Sequence, residues 1–167
     1  MLKKLFMLIV AGFFLASCAA TKTEQGGDVD AASASASSSS GGEITAGTQE
    51  DLIVNVGDRV FFEFDSSELT VDAQATLDAQ AAWLMQYPDT NITVEGHADE
   101  RGTREYNLAL GARRANSARE FLVSRGIESS RIKTVSFGKE RPAELCSNEN
   151  CYSENRRAVS VVSNLNF

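Results

Sequence analysis

The tract from Ala19 to Glu50 cannot fold by itself, and this decides where everything else in the chain must go. It is mostly Ala, Ser, Gly and Thr, with a Ser37 to Ser40 run and no apolar periodicity. Such a segment buries too little surface to offset its chain entropy, so disorder is expected. The core must therefore come from residues 51–167, a length that suits one ordinary domain. Residues 18–50 read as a tether, and about 30 flexible residues span roughly 30 Å root-mean-square.

The segment before the tether is a delivery signal. Lys3 and Lys4 precede an apolar run, Leu5 to Phe14, shorter than the roughly 20 residues of a membrane-spanning helix. Residues 1–17 thus read as a secretory signal peptide. The run ends in Leu15-Ala16-Ser17-Cys18, which resembles the lipobox of bacterial lipoproteins, where the cysteine is lipidated and becomes the new N-terminus. The alternative is an ordinary cleavage site with a chance cysteine. The resemblance implies an acylated Cys18 held in membrane lipid, each buried methylene contributing about 0.8 kcal/mol. Ala19 in place of Asp implies sorting to the outer membrane, with the globular head in the periplasm.

Removing residues 1–17 deletes Lys3 and Lys4 and no acid, so the net charge moves from −7 to −9. A chain this acidic argues against nucleic acid and against anionic lipid as the main partner. In an oxidising compartment Cys146 and Cys151 are expected to form a small-loop disulfide. Two cysteines and a single distant histidine are too few for a metal site, and no cofactor is expected.

Within the head, residues 51–64 (DLIVNVGDRVFFEF) suggest a short strand, a turn at Gly57-Asp58 and a second strand ending at Phe64. Thr70 caps a helix with Asp72 in its first turn; Ala73, Leu77, Ala81 and Leu84 follow at helical spacing, and Pro88 closes it. Ile92, Val94 and Gly96 alternate with Thr93, Glu95 and His97 as a strand does. This β-α-β run predicts two parallel strands, with Phe64-Asp65 and His97-Ala98-Asp99 at the sheet edge where open α/β sheets bind ligands. A second helix is predicted from Arg104 to Ser124, ended by Gly126. A third strand around Ile132 to Phe137, a long loop from Gly138 to Asn155 and a last strand from Ala158 to Val162 complete the reading. The predicted fold is an α/β, or α+β, two-layer sandwich: two main helices on a mixed sheet.

One residue breaks the helical pattern. Gly111, Ala115, Ala118, Phe121 and Leu122 share a face at 100° per residue, and Arg114 falls inside that apolar stripe while Arg113 points away. Arg114 either snorkels past the edge of the core or meets an anion. Asp99, in the DERGT run with Gly102, is either a turn former or the opposite charge at the same sheet edge. Together the two could hold a ligand bearing both ammonium and carboxylate. A helix that begins at Arg104 puts Arg114 about 15 Å along its axis, so residues 98–103 must fold back along it. His97 is a structural histidine, a ligand or a base; Glu95, Asp99 and Glu100 could supply the two carboxylates of a glycosidase, but closeness in sequence does not by itself make a site, and no activated Ser or Cys nucleophile is apparent.

The segments FFEFDSSEL (61–69), VEGHADERGTREYNLALGARRA (94–115), VSFGKERP (135–142) and YSENRRAV (152–159) closely resemble the OmpA-like peptidoglycan-binding domain, with its βαβαβ topology. The resemblance implies a non-enzymatic domain whose ligand is the peptide stem of peptidoglycan, through its zwitterionic meso-diaminopimelate. It implies that Asp99 binds the ammonium and Arg114 the carboxylate. Phe64 and Asp65 would contact the ligand by backbone, and Arg101, Asn107 and Leu108 would line the pocket. Asn155 and Arg156 match a supporting element. TolB and other Tol-system proteins are the implied protein partners, in envelope integrity and cell division. The Cys146–Cys151 loop departs from the pattern of the resembled domain.

Overall fold

The computed structural model describes residues 44–163, all within one compact unit; the signal segment, Cys18 and most of the tether lie outside the described residues. Folding starts earlier than composition suggests. Thr48 Oγ1 caps a short helix, α1 (Gln49–Asp51), which runs into a π-turn over Leu52–Val56. Asp51 is buried and accepts hydrogen bonds from Gly47 N at 2.8 Å, Asn55 Nδ2 at 2.7 Å and Trp83 Nε1 at 2.9 Å. Gln49 clips onto the far end of the sheet, donating to Ser160 O at 3.3 Å and accepting from Val162 N at 2.6 Å.

The strand expected over residues 51–56 is therefore a helical turn. Leu52 is buried, residues 53–55 are exposed and Val56 is half-buried, a period of four rather than two. Local bonding decides it, because the Asp51–Asn55 contact spans one turn and outweighs the strand preference of Ile53, Val54 and Val56.

The sheet holds β1 (Arg59–Phe61), β2 (Ile92–His97), β3 (Ile132–Gly138) and β4 (Arg157–Val162) in the order β1-β4-β2-β3. β2 and β3 are parallel, and β4 is antiparallel to both β1 and β2. β1 and β2 thus run the same way, as expected, but β4 separates them. Ala158 and Ser160, small and buried, fit this central place, where Ser160 Oγ donates to Gln80 Oε1 at 2.8 Å. β1 stops at Phe61, so Phe64 and Asp65 lie in the loop beyond it and not at a strand end.

One layer of helices covers the sheet. α2 (Val71–Gln86) is capped by Thr70 and brings Ala73, Leu77, Ala81 and Leu84 into the core; α3 (Arg104–Ser124) brings Ala115, Ala118 and Leu122. The expected limits of α3 hold, with Gly126 at a φ of 97° past its C-cap. The mixed two-layer fold is as read from the sequence. A fourth helix was not expected: α4 (Glu149–Asn155), capped by Asn148, interrupts the long loop before β4. Cys151 in its first turn is bridged to Cys146, the two Cα atoms standing 5.7 Å apart.

α3 lies against β2 almost backbone to backbone. A Cβ on Gly96 would stand 1.8 Å from Gly111 O, and one on Gly111 would meet Ser136 Oγ at 2.5 Å and Gly96 O at 2.8 Å. Only paired glycines permit this approach. It fixes the height of α3 on the sheet, and with it the reach of Arg114.

Candidate ligand-binding site

At the carboxyl end of β2, a cavity of about 160 Å³ opens between the loop after β1, the β2–α3 turn and the first three turns of α3. The turn does fold back along the helix. Asn107, buried on α3, donates from Nδ2 to Arg101 O at 2.8 Å, and Lys139 Nζ donates to Glu100 O at 3.1 Å and Gly102 O at 2.7 Å. Gly102 takes a φ of 93°, which lets the chain reverse just before Thr103 caps α3. The 15 Å problem is solved by the turn coming to Arg114.

Arg114 has no exposed surface. Its Nε donates to Ser66 O at 2.8 Å, Nη1 to His97 O at 2.9 Å and Nη2 to Glu63 O at 3.1 Å. Three of its five N–H groups are thus held by main-chain carbonyls from two separate segments. Among the described residues no carboxylate stands within ion-pair distance of it. Burial pulls its pKa down to about 10, against the opposing pull of the Asp99 charge, so it remains a cation at neutral pH. It does not snorkel: it lines the cavity.

Asp99 lines the other side, 5 % exposed. Burial pushes its pKa upward, but hydrogen bonds from the Arg101 side chain and backbone and the charges of Arg101 and Arg156 outweigh this and hold it below the usual carboxylate range. Arg101 fills both carboxylate oxygens, with Nη2 at 2.6 Å from Oδ2 and Nε at 3.3 Å from Oδ1. The charges then close into a ring. Arg101 Nη1 lies 3.6 Å from Glu149, Glu149 accepts from Arg156 Nη2 at 2.7 Å, and Arg156 Nη1 returns to Asp99 at 3.5 Å. Phe64 and Tyr152 stack near the Arg101 guanidinium, their ring centroids 4.2 Å and 4.3 Å from its carbon.

Six of the seven expected residues meet here: Phe64, Asp65, Asp99, Arg101, Asn107 and Arg114. Leu108 does not. It is 49 % exposed, one helical step of 100° off the buried face, and Leu110 takes the place because Asn107, Leu110 and Arg114 are spaced i, i+3, i+7. That spacing was available in the sequence. Tyr106, whose hydroxyl donates to Asp65, and Glu149 and Tyr152 of α4 had no such signal. Asp65 adopts a φ of 52°, which turns the loop after β1 over the cavity.

Arg156 supports that loop twice, accepting Phe62 N at its backbone oxygen at 2.8 Å and donating from Nε to Phe62 O at 2.9 Å. Asn155 ties the chain at Ala143 and Glu144.

His97 enters through its backbone oxygen. Its ring is buried beside Phe137, and neither ring nitrogen finds a well-formed hydrogen bond. Burial first, then the charges of Arg157 and Arg141, lowers its pKa to about 4. Glu100 is also held below the usual range, by bonds from Ser147 and Tyr152. A glycosidic acid needs a raised carboxyl pKa, and Asp99 and Glu100 shift the opposite way.

The sequence pattern of the OmpA family matches residues 61–160, more than half the chain. The chain belongs to the OmpA family. It is 53 % identical over 154 residues to a peptidoglycan-associated lipoprotein of Rhizobium meliloti (strain 1021), covering 92 % of this chain and 84 % of that one. A protein of the same name from Haemophilus influenzae is 40 % identical over 152 residues, covering 91 % and 94 %. The crystal structure of the peptidoglycan-associated lipoprotein from Burkholderia pseudomallei superposes with a TM-score of 0.62 at 40 % identity, over 64 % of this chain and 90 % of that one. The span matched to the OmpA family begins at the last residue of β1 and contains every residue that lines the cavity. α1 and its π-turn precede that span.

Proposed function

We propose that the head binds the peptide stem of peptidoglycan noncovalently through its meso-diaminopimelate, and that lipid on Cys18 and the tether between it and α1 make the protein a link between outer membrane and cell wall. The observation that carries this is Arg114, a fully buried cation lining a cavity with carbonyl partners but no carboxylate of its own. A ligand carboxylate would complete it, and Asp99 across the same cavity offers the complementary charge for an ammonium. The printed names of the relatives agree with this reading. Many anchored copies holding one wall would adhere strongly even with weak individual contacts, through effective concentration.

Within this reading the protein works with TolB and the Tol system in envelope integrity and cell division. The test is cosedimentation of the mature chain with purified sacculi. Wild type should pellet, and Asp99→Ala and Arg114→Lys should each leave most of the protein in solution; equal pelleting of all three sinks the assignment of these residues. Fragments released from the sacculi by wild type would overturn the binding-only view.

A further inference from the structure

Resting on the wall-binding function proposed above, we propose that Arg101 is an internal occupant of the cation seat at Asp99, and that Glu149 and Tyr152 of α4 receive it when a ligand ammonium takes that seat. The geometry leaves little alternative for an incoming cation. Both oxygens of Asp99 are taken by the Arg101 fork, and Oδ1 also accepts the Arg101 backbone N–H at 3.1 Å. Of the roughly four acceptor sites of the carboxylate this leaves one, on Oδ2, which faces the Arg156 guanidinium at 3.5 Å, so a ligand ammonium gains full contact with the carboxylate as the Arg101 guanidinium withdraws.

Withdrawal has a prepared destination. The guanidinium already lies 3.6 Å from Glu149 and near the Phe64 and Tyr152 rings, so a small slide exchanges one carboxylate for another while the aromatic contacts persist. The side chains that must yield are accessible: those of Arg101 and Glu149 are 36 % and 63 % exposed. α4 itself is held in place. The disulfide joins Cys146 to Cys151 in its first turn, Asn148 caps it, and Tyr152, the next residue, donates its hydroxyl to Glu100 at 2.9 Å.

This arrangement serves both states. In the free protein Arg101 gives the buried Asp99 its hydrogen-bonded partner, in addition to Arg156 at 3.5 Å. During binding it sets a threshold, because the tethered guanidinium competes at high effective concentration. A side chain carrying only an ammonium must displace Arg101 unaided. One that also carries a carboxylate gains Arg114, so the internal competitor favours zwitterionic over simply cationic stems.

Calorimetric titration of the mature chain tests it, using a muropeptide with a diaminopimelate stem and its counterpart with lysine at that place. Arg101→Gln should bind the diaminopimelate stem roughly 5- to 30-fold tighter than wild type, and the lysine stem should gain at least as much. Glu149→Gln should weaken wild type about threefold yet leave Arg101→Gln unchanged, a coupling that a purely structural role does not produce. Arg101→Lys, which keeps the charge and loses the fork, should gain less than Arg101→Gln and stands in for it should that variant not fold. Binding by Arg101→Gln alone, with none by wild type, also supports the exchange. Equal or weaker binding by Arg101→Gln where wild type binds overturns it and leaves wall binding intact. No binding by either chain overturns both.

Discussion

The two charged ends of the cavity are built on opposite plans. Arg114 is gripped by main-chain carbonyls of Glu63, Ser66 and His97, which cannot leave without moving the loop after β1 or the end of β2. Asp99 is met by side chains, Arg101 and Arg156, that belong to a ring continuing through the exposed Glu149. A backbone grip gives a fixed receptor, and a side-chain ring gives one that can rearrange. On the function proposed above, rigidity lies where a ligand carboxylate would be recognised and adjustability where a ligand ammonium would be admitted.

Removing the fixed end should have the largest effect. Arg114→Leu leaves the main-chain carbonyls of Glu63, Ser66 and the buried His97 without their donor, and urea unfolding should show a loss of about 3–5 kcal/mol. A loss below about 1 kcal/mol would mean that water can replace the grip, and the contrast would fail.

The second largest effect concerns pH at the same end. His97 has a folded pKa of about 4 against an ordinary 6.5, so the unfolded chain takes up the proton first. Its contribution is complete above pH 6.5 and is lost as pH falls toward 4, by roughly 3 kcal/mol in total. Stability measured from pH 7 to 4 should show this fall, and His97→Gln should flatten that part of the curve. Asp99, with its lowered pKa, contributes above its unfolded value of 3.8 and loses that contribution only below it, so the two ends separate on the pH axis.

Reduction of the disulfide should come third. The bridged cysteines are five positions apart, a loop small enough to limit the gain to about 2 kcal/mol, read as the difference in urea midpoint with and without reductant. Asp99→Asn should be the smallest, about 1 kcal/mol, because Glu149 remains to pair both arginines; a cost equal to that of Arg114→Leu would erase the distinction between the ends.

What was legible in the sequence follows the range of the forces involved. α3 was readable to its limits because its capping and glycine stop are local, and Arg114 stood out because a wheel exposes a charge on an apolar stripe. The π-turn at Leu52–Val56 was misread because its β-branched residues favour a strand while Asp51 bonds otherwise. The place of β4 between β1 and β2 depends on contacts across the whole chain, to which no short pattern refers. α4 was missed because a seven-residue helix held by a disulfide and an Asn cap has too few turns to show a period. Leu108, implied by the resemblance, is exposed, whereas Leu110, spaced with Asn107 and Arg114 at i, i+3, i+7, lines the cavity.

The Gln49 clip bears on how the head would carry tension. Gln49 is bonded to Ser160 and Val162 near the end of β4, where Val162 lies opposite Ile92 at the start of β2, whereas the cavity opens beyond His97 at the other end of β2. A pull entering through the chain before α1 and leaving through the cavity would run lengthwise along β2 and β4. Their ladder would be sheared, with its hydrogen bonds strained together, rather than peeled one after another. The force at which the head gives way would then depend on where the pulling chain is clipped to the sheet more than on how many bonds the sheet contains.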